Sequence, residues 1–265
     1  MSNYWVQRNR DRAYNQALRY AETQLAKEYK RCIEETQSKL VDVFTEITLA
    51  SGNDTLLISD LYRYNRYYEL MNVLNSNFTK LGQKEIEITD EALKRMYLTN
   101  SQLIVDELGS YKNSNLFADE NRIKNAINAI WCQDGKHWSN RVWNNKSALS
   151  QLVQKGMVDC VARGIPKVEL VKELRRQFNK DMERGFYEAE RLVRTELTYI
   201  QAQSTLDKYR EAGIEQYQFL AELDDRTSQE CRELNGKIFN VKDAVVGENL
   251  PPCHPNCRST IVAVL

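Results

Sequence analysis

The chain has 265 residues and no net charge, because 37 basic residues face 37 acidic ones. This balance argues against a general phosphate-binding protein, which would rely on an excess of Lys and Arg. Six cysteines are too few for a disulfide scaffold. The sequence shows no signal peptide and no run of about 20 apolar residues, so we predict a soluble protein without a membrane span.

The first part of the chain is predicted to be helical, because it contains no proline before Pro166. A mostly apolar set of positions recurs at steps of three or four residues, which is the spacing of one helix face. The positions are Tyr14, Leu18, Ala21, Leu25, Tyr29, Cys32, Thr36, Leu40, Val43 and Ile47. So long a helix is expected to pack along other helices or to project as a coiled-coil arm.

Further helical stretches follow the turn-forming residues 50–55. One covers residues 56–82, and the next is expected to begin at Thr89, which has the side chain of an N-cap. Residues 120–163 also have helical character, and His137 within them has a structural role in our interpretation. Pro166 is placed in the first turn of a new helix, and a last long helix is expected to end at Gly213.

Basic side chains recur every four residues after Pro166, as a phosphate-facing stripe would require. They are Lys172, Arg176, Lys180 and Arg184. Acidic residues are interleaved with them, which favours a solvated helix face with ion pairs between neighbouring turns.

The sequence after Gly213 changes to a mixed pattern of short strands and turns. "QYQFLAEL", "KIFNV" and "STIVAVL" are predicted strands, and "TSQE" at residues 227–230 is predicted to cap a short helix that carries Cys231. The fold class is therefore α+β and predominantly α-helical. Long N-terminal helices precede a small C-terminal α+β cap with a short antiparallel sheet.

The stretch "LPPCHPNCRST" at residues 250–260 places Cys253, His254 and Cys257 close together between prolines that stiffen the loop. Zinc is bound by thiolates and imidazoles in sets of four, and structural sites often draw ligands from one tight loop. Cys231, on its capped helical turn, would complete a Cys3His structural zinc site.

Three alternatives remain open at this point. The ion could use Cys231, His254 and Cys257 with Asp225 or water as the fourth ligand, since adjacent Cys253 and His254 do not easily face one ion. Cys231 could instead form a disulfide with Cys253 or Cys257 outside a reducing compartment. The thiols and the imidazole could also serve only the packing of a tight turn.

The stretch "ELDDRTSQEC" contains Asp224, Asp225, Arg226 and Thr227, which could activate water beside a metal ion. A structural role is favoured, because carboxylates beside turns usually cap helices. In that interpretation Asp225 and Thr227 cap the short helix, and Arg226 pairs with an acidic group such as Glu196.

These motifs together resemble the C-terminal domain of the phage Mu F-like minor head proteins, also called the phage head-morphogenesis family. The resemblance covers about the last 80 residues. It is carried by Arg194, Thr195, Glu196, Asp224, Asp225, Arg226, Thr227, Cys231, Gly236, Pro251, Pro252, His254, Pro255, Cys257 and Arg258. The family often has a cysteine where this chain has Ser259, and Cys253 is placed to substitute for it.

The resemblance implies a non-enzymatic minor capsid protein of a tailed bacteriophage or prophage. Such a protein acts in virion assembly, in contact with the portal, capsid or scaffold proteins inside the head, with a role in DNA packaging or ejection. Contact with phage DNA is expected to be weak, because the chain has no net charge. Residues 1–165 would form a helical assembly arm and residues 166–265 the Mu F-like domain. A zinc-dependent hydrolase or nuclease that uses the Cys/His cluster is the alternative.

Overall fold

A computed structural model describes residues 3–52, 55, 59–60, 66–109 and 119–264 of the chain. Six α-helices and three β-strands form within these described residues, in agreement with the predicted helix-dominated α+β fold. The five helices that come first in the chain are α1 (Asn3–Ser51), α2 (Arg66–Leu108), α3 (Glu120–Ile127), α4 (Trp138–Ala162) and α5 (Lys167–Ala212).

Helix α1 confirms the periodicity seen in the sequence. Of the ten positions on the predicted face, eight are buried, and only Tyr14 and Leu18 are half-buried. The helix ends at Ser51, and Gly52 follows with a φ of 65°, a left-handed conformation that glycine adopts without steric cost.

The break that we expected between two helices, from residue 82 to Thr89, does not occur. Helix α2 is continuous, and Thr89 lies in its interior with its side chain fully buried, so it is not an N-cap. Gly82 does not end the helix either. A Cβ atom there would lie 2.6 Å from the Trp143 ring, so glycine lets α4 pack closely against α2 at this point. The predicted start of this stretch, at residues 56–65, falls mostly outside the described residues.

The stretch 120–163 is two helices and not one. Asp119 caps α3 by accepting a hydrogen bond from the Asn121 amide, and α3 ends at Ile127. The chain then turns at Gly135, which has a φ of 67°, before α4 begins at Trp138. His137 and Trp138 both place a ring nitrogen about 3 Å from the Ile127 carbonyl oxygen, which ties the turn to the end of α3.

The C-terminal sheet has three strands, of which the first in the chain lies at the centre, and both pairings are antiparallel. Its strands are β1 (Gln216–Leu220), β2 (Ile238–Asn240) and β3 (Thr260–Val264), and the short helix α6 (Gln229–Leu234) lies between β1 and β2. Tyr217 and Phe219 of β1 are fully buried, whereas their neighbours on the strand are at least partly exposed. This alternation is the period of two that predicted the strand. We refer to residues 214–264 as the terminal lobe.

The chain divides into two compact units. One, the helical unit, consists of Thr23–Glu87 and Ser139–Ala189; the other, the mixed unit, consists of Met1–Glu22, Ile88–Trp138 and Glu190–Leu265. The terminal lobe belongs to the mixed unit. The division into residues 1–165 and 166–265 stays a prediction.

The core of the mixed unit joins the sheet to the long helices. Ile104 and Leu108 of α2 and Leu206 and Tyr209 of α5 pack with residues of the sheet, including Tyr217. None of the helices in the described part of the chain contains a stretch that is long and apolar enough to cross a membrane.

The helical unit contains a buried charged cluster. Lys146 Nζ lies 2.5 Å from Glu85 Oε2, and these two side chains are 4% and 1% exposed. Lys146 also donates a hydrogen bond to the Tyr29 hydroxyl, which donates in turn to the Gly185 carbonyl at 2.9 Å. Burial raises the pKa of Glu85 despite the neighbouring ammonium group.

Candidate metal centre

Helix α6 positions Cys231. Its N-cap is Ser228, whose hydroxyl accepts a hydrogen bond from the Cys231 amide at 3.2 Å. The cap is therefore one residue later than the "TSQE" pattern predicted. Thr227 instead accepts a hydrogen bond from the Asp224 amide at 2.8 Å and donates to the Glu222 carbonyl, so it closes the turn that precedes the helix.

The proline-rich loop presents His254 and Cys257. Pro251 and Pro252 are buried and are joined by a cis peptide bond. Asn256 has a φ of 59°, a left-handed conformation that asparagine tolerates better than most residues. The Cys257 amide donates to the His254 carbonyl at 3.1 Å, so the loop folds back on itself. This turn places the His254 and Cys257 side chains on the same side of the loop.

The two elements meet at their sulfur and nitrogen atoms. Cys231 Sγ lies 3.3 Å from His254 Nε2 and 3.8 Å from Cys257 Sγ. Within the described residues, these three ligand atoms all lie within 4.8 Å of one another. Cys253 packs against the small core that contains both thiols, but it does not belong to this group of three. All six cysteines are free in the structure.

The tautomer of His254 follows from its second ring nitrogen. Nδ1 lies 2.9 Å from the Pro255 carbonyl oxygen, and a carbonyl only accepts hydrogen bonds. Nδ1 therefore carries the proton, and Nε2 is the nitrogen that faces the thiols. This is the usual arrangement of a metal-binding histidine, which donates its other N–H to a backbone carbonyl or a carboxylate.

Proximity also shifts the pKa values of the cluster. Hydrogen bonds from Cys231 and Cys253 lower the pKa of the Cys257 thiol, while the same kind of bond raises the pKa of Cys253. The hydrogen bond with Cys257 raises the pKa of His254 to about 10. The side chains of the cluster thus strongly perturb one another's pKa values.

Helix α5 holds the loop from the other side. Thr198 Oγ1 lies 2.7 Å from the Cys257 carbonyl and 3.1 Å from the Arg194 carbonyl, so the shorter bond goes to the loop. The Asn256 amide donates to Thr195 Oγ1 at 3.1 Å. Both threonines lie in or next to the "RTE" motif, and these two bonds explain why the motif and the distant loop belong together.

The other two residues of the "RTE" motif bind elsewhere in the mixed unit. Arg194 forms an ion pair with Glu22 of α1 at 2.7 Å. Glu196 is buried and accepts a hydrogen bond from the Trp131 indole at 2.9 Å, and the Trp131 ring stacks on Tyr199. The motif therefore fixes α5 to its neighbours as well as to the loop.

Asp224 is the centre of a polar network beside the cluster. Its carboxylate lies 2.5 Å from the Arg258 guanidinium and accepts a hydrogen bond from the Arg226 amide at 2.8 Å. The hydrogen bond from Arg258 lowers the pKa of Asp224. Arg258 also pairs with Glu222 at 2.9 Å, so it joins the loop to the strand-to-helix turn.

Two predictions for this turn were that Asp225 could be a metal ligand and that Arg226 pairs with Glu196, and the structure shows neither arrangement. Asp225 is exposed and lies outside the Cys/His cluster. Arg226 is also exposed, and it pairs with Asp224 at 3.5 Å, whereas Glu196 is buried against Trp131. The turn is thus closed by Asp224, Thr227 and Arg258.

Comparison with known families matches residues 151–262 to the family described as Phage Mu protein F like protein. Residues 151–262 of this chain are therefore similar to this family, and we refer to them as the Mu F-like domain. The Mu F-like domain begins within α4 and includes α5, the polar turn and the Cys/His loop. Its family indicates phage head morphogenesis. No curated protein and no solved structure matches the chain.

Thr198 is a residue of the Mu F-like domain that sequence reasoning missed. It lies three residues after Thr195, on the same side of α5, but its partner is 59 residues away along the chain. The i,i+3 spacing was the only available indication, and threonine at such spacing is common in helices that bind nothing.

Removing the Thr198 hydroxyl should loosen the loop of the Mu F-like domain. We expect Thr198→Val to lower the free energy of unfolding by about 1–3 kcal/mol, because the buried Cys257 carbonyl loses its donor. Urea unfolding followed by circular dichroism measures this change. Thr198→Ser keeps the hydroxyl and should lose less than half as much. Equal losses in the two variants would contradict a role for the hydrogen bond.

Proposed function

We propose that this chain is a minor capsid protein of a tailed bacteriophage or prophage, located inside the head in association with the portal. It acts in virion assembly in the host cytoplasm and contributes to DNA packaging or ejection. The match of residues 151–262 to the Mu F-like family carries this proposal. Its partners are the portal protein and the capsid or scaffold proteins.

The contacts of the motif residues support a structural role for the Mu F-like domain. Arg194, Asp224 and Arg258 form ion pairs within the domain or with α1, and the threonines hold the loop. Motif residues with these partners stabilise the fold of the domain. The motif therefore favours a scaffold over an enzyme.

The cavity beside the Cys/His cluster is also too small for a substrate. It has a volume of about 20 Å³ and is lined by Cys231, His254, Arg226, Arg258 and neighbouring residues. Such a volume accommodates about one water molecule. This size argues against catalysis at the cluster, and it supports our proposal that the protein is not an enzyme. The comparisons give no support to the hydrolase or nuclease alternative.

The helical unit is the proposed site of contact with the portal, capsid or scaffold. Its helices are long segments of α1, α2, α4 and α5 held together by a buried core, so it presents extended helical surfaces. Val168, Tyr187 and Leu49 are large apolar side chains that it leaves exposed. Exposed apolar side chains on a helix are suited to binding another protein.

Mass spectrometry of purified virions tests the location. We expect this chain in the particles of the phage or induced prophage that encodes it, at fewer copies than the major capsid protein and protected from protease until the heads are opened. A lysate in which the chain stays entirely in the particle-free fraction would contradict the proposal. Detection outside intact heads, with digestion by added protease, would contradict the interior location.

Copurification of the tagged full chain with purified portal tests the partner. The matched variants are Val168→Asp and Tyr187→Asp in the helical unit, with Ile238→Asp on the exposed edge of the sheet as the control. We expect the first two to weaken portal binding at least tenfold and the control to leave it unchanged. Unaltered binding by both helical variants would place the contact elsewhere.

DNA binding is expected to be weak and sensitive to salt. The basic residues of the four-residue repeat are exposed on α5, but Arg176 pairs with Glu173, and the chain as a whole is neutral. We predict a Kd for duplex DNA of roughly 10⁻⁵ M or weaker near physiological salt, rising steeply with added salt. Fluorescence anisotropy over a salt series measures it. Tight binding that persists at high salt would contradict the prediction that the neutral chain binds DNA only weakly.

A further inference from the structure

We propose that the terminal lobe binds one zinc ion through Cys231, His254 and Cys257, with Cys253 as the fourth ligand, and that this closed site is structural. The inference concerns the metal content of the lobe and does not depend on the phage function proposed above. It rests on the geometry of the cluster, on the orientation of His254 and on the small core of the lobe.

The atoms of the cluster have the chemistry that zinc prefers. Two sulfurs and one imidazole nitrogen lie within 4.8 Å of one another, and no carboxylate oxygen belongs to this group in the described residues. Thiolate and imidazole ligands select zinc over calcium and magnesium, which prefer oxygen ligands. Cys253 packs against the small core that contains both thiols, so a third sulfur lies nearby, although it is outside the group of three ligand atoms and would have to turn toward the ion to complete four-coordination.

The cluster is held in place before any metal arrives. The Nδ1 proton of His254 is engaged with the Pro255 carbonyl, which turns Nε2 toward Cys231. Thr198 binds the Cys257 carbonyl, and Ser228 caps the helical turn that carries Cys231. Ligands fixed by such supporting hydrogen bonds lose little conformational freedom when they bind a metal.

The apolar core around the cluster is small, although the sheet also packs on the long helices. The buried residues packed around the cluster are Phe219, Ala221, Cys231 and Cys257, so half of this small core consists of the proposed ligands. A metal ion that joins α6 to the proline-rich loop would supply the missing cross-link. The cavity of about 20 Å³ next to the cluster leaves no room for a substrate, which favours a structural over a catalytic zinc.

Metal analysis of the full chain, purified without chelator, tests the proposal. We expect about one zinc per chain in the wild type and in the control Cys132→Ser, whose cysteine lies outside the cluster. Cys231→Ser and Cys257→Ser should each retain less than a tenth of that zinc. Cys253→Ser should bind zinc at least tenfold more weakly, as measured by competition with a chromogenic chelator. Equal zinc in the wild type and Cys257→Ser would overturn the site.

A second measurement covers the case in which the cysteine variants do not fold. The wild-type chain, stripped of zinc and loaded with Co²⁺, should show the absorption bands of a tetrahedral cobalt ion with thiolate ligands, and zinc should abolish them. A wild type that contains no zinc and takes up no cobalt would refute the proposal. So would a disulfide between Cys231 and either loop cysteine, detected by thiol counting in denaturant.

Discussion

Lys146→Ala is expected to destabilise the helical unit by about 3–5 kcal/mol, because it leaves the carboxylate of Glu85 buried without its countercharge. Glu85 is only 1% exposed, and burial already raises its pKa while Lys146 is present. Loss of the ammonium group should raise that pKa further. Urea unfolding at neutral pH, followed by circular dichroism, measures the change in free energy of unfolding.

The pH dependence of the same variant gives a sharper test. A raised pKa in the folded state means that the folded protein accommodates protonated Glu85 better than the carboxylate. The loss of free energy of unfolding caused by Lys146→Ala is therefore largest at a pH where Glu85 is ionised in the unfolded chain. The stability gap between Lys146→Ala and the wild type should therefore narrow as the pH falls toward 4, near the ordinary pKa of glutamate. A gap that stays constant or widens on acidification would be inconsistent with this origin.

Two variants serve as controls for Lys146→Ala. Lys84 forms an exposed pair with Glu87 on α2, so Lys84→Ala should cost no more than about 0.5 kcal/mol. Replacement of both buried partners, in Glu85→Leu/Lys146→Met, removes the unpaired charge together with its partner and should recover most of the lost stability. A double variant no better than Lys146→Ala would mean that packing, and not the lost charge, explains the effect.

Phe219→Ala is expected to remove about 3–5 kcal/mol from the stability of the terminal lobe. The ring is fully buried at the centre of β1 and packs against Cys231 and Cys257, so its loss leaves a cavity beneath both thiols. We also expect faster amide hydrogen exchange in β1 and β3, which pair through Phe219 and Ile261.

The matched control for Phe219→Ala lies on the same strand. Gln216 is exposed, and its side chain lies 3.4 Å from that of Asn240, so Gln216→Ala should change the free energy of unfolding by less than about 0.5 kcal/mol. Similar exchange rates in Phe219→Ala and Gln216→Ala would show that the ring is not needed to hold the sheet.

The fold was largely predictable because its two periodicities are strong. Apolar positions recur every three or four residues from Tyr14 to Ile47, which predicted α1. Apolar and polar residues alternate around Tyr217 and Phe219, which predicted β1. The errors arose where a local pattern competes with tertiary packing. Thr89 is a good N-cap residue in isolation, but the buried face of α2 continues through it, and packing decides the outcome. The opposite error, at residues 128–137, missed the turn that the Asp134–Gly135 pair indicates.

The residue types of the candidate site were predictable from the sequence. The hydrogen bonds that hold those residues in place were not. Thiols and an imidazole beside stiffening prolines suggest a metal, and the structure brings Cys231, His254 and Cys257 together. Their identity as ligands stays a prediction. The bond from Thr198 to the Cys257 carbonyl depends on the approach of α5 to a loop far along the chain, and the "RTE" motif does not include Thr198. A contact between residues so far apart in the chain cannot be inferred from a single sequence.

The position of β1 between β2 and β3 has a consequence during synthesis. β1 pairs with β3 through five residue pairs, from Gln216 with Val264 to Leu220 with Thr260. A nascent chain on the ribosome therefore displays one open edge of β1 until residues 260–264 have left the exit tunnel, well after the helices can form. Stalled or truncated products would expose that edge to pairing with strands of other chains.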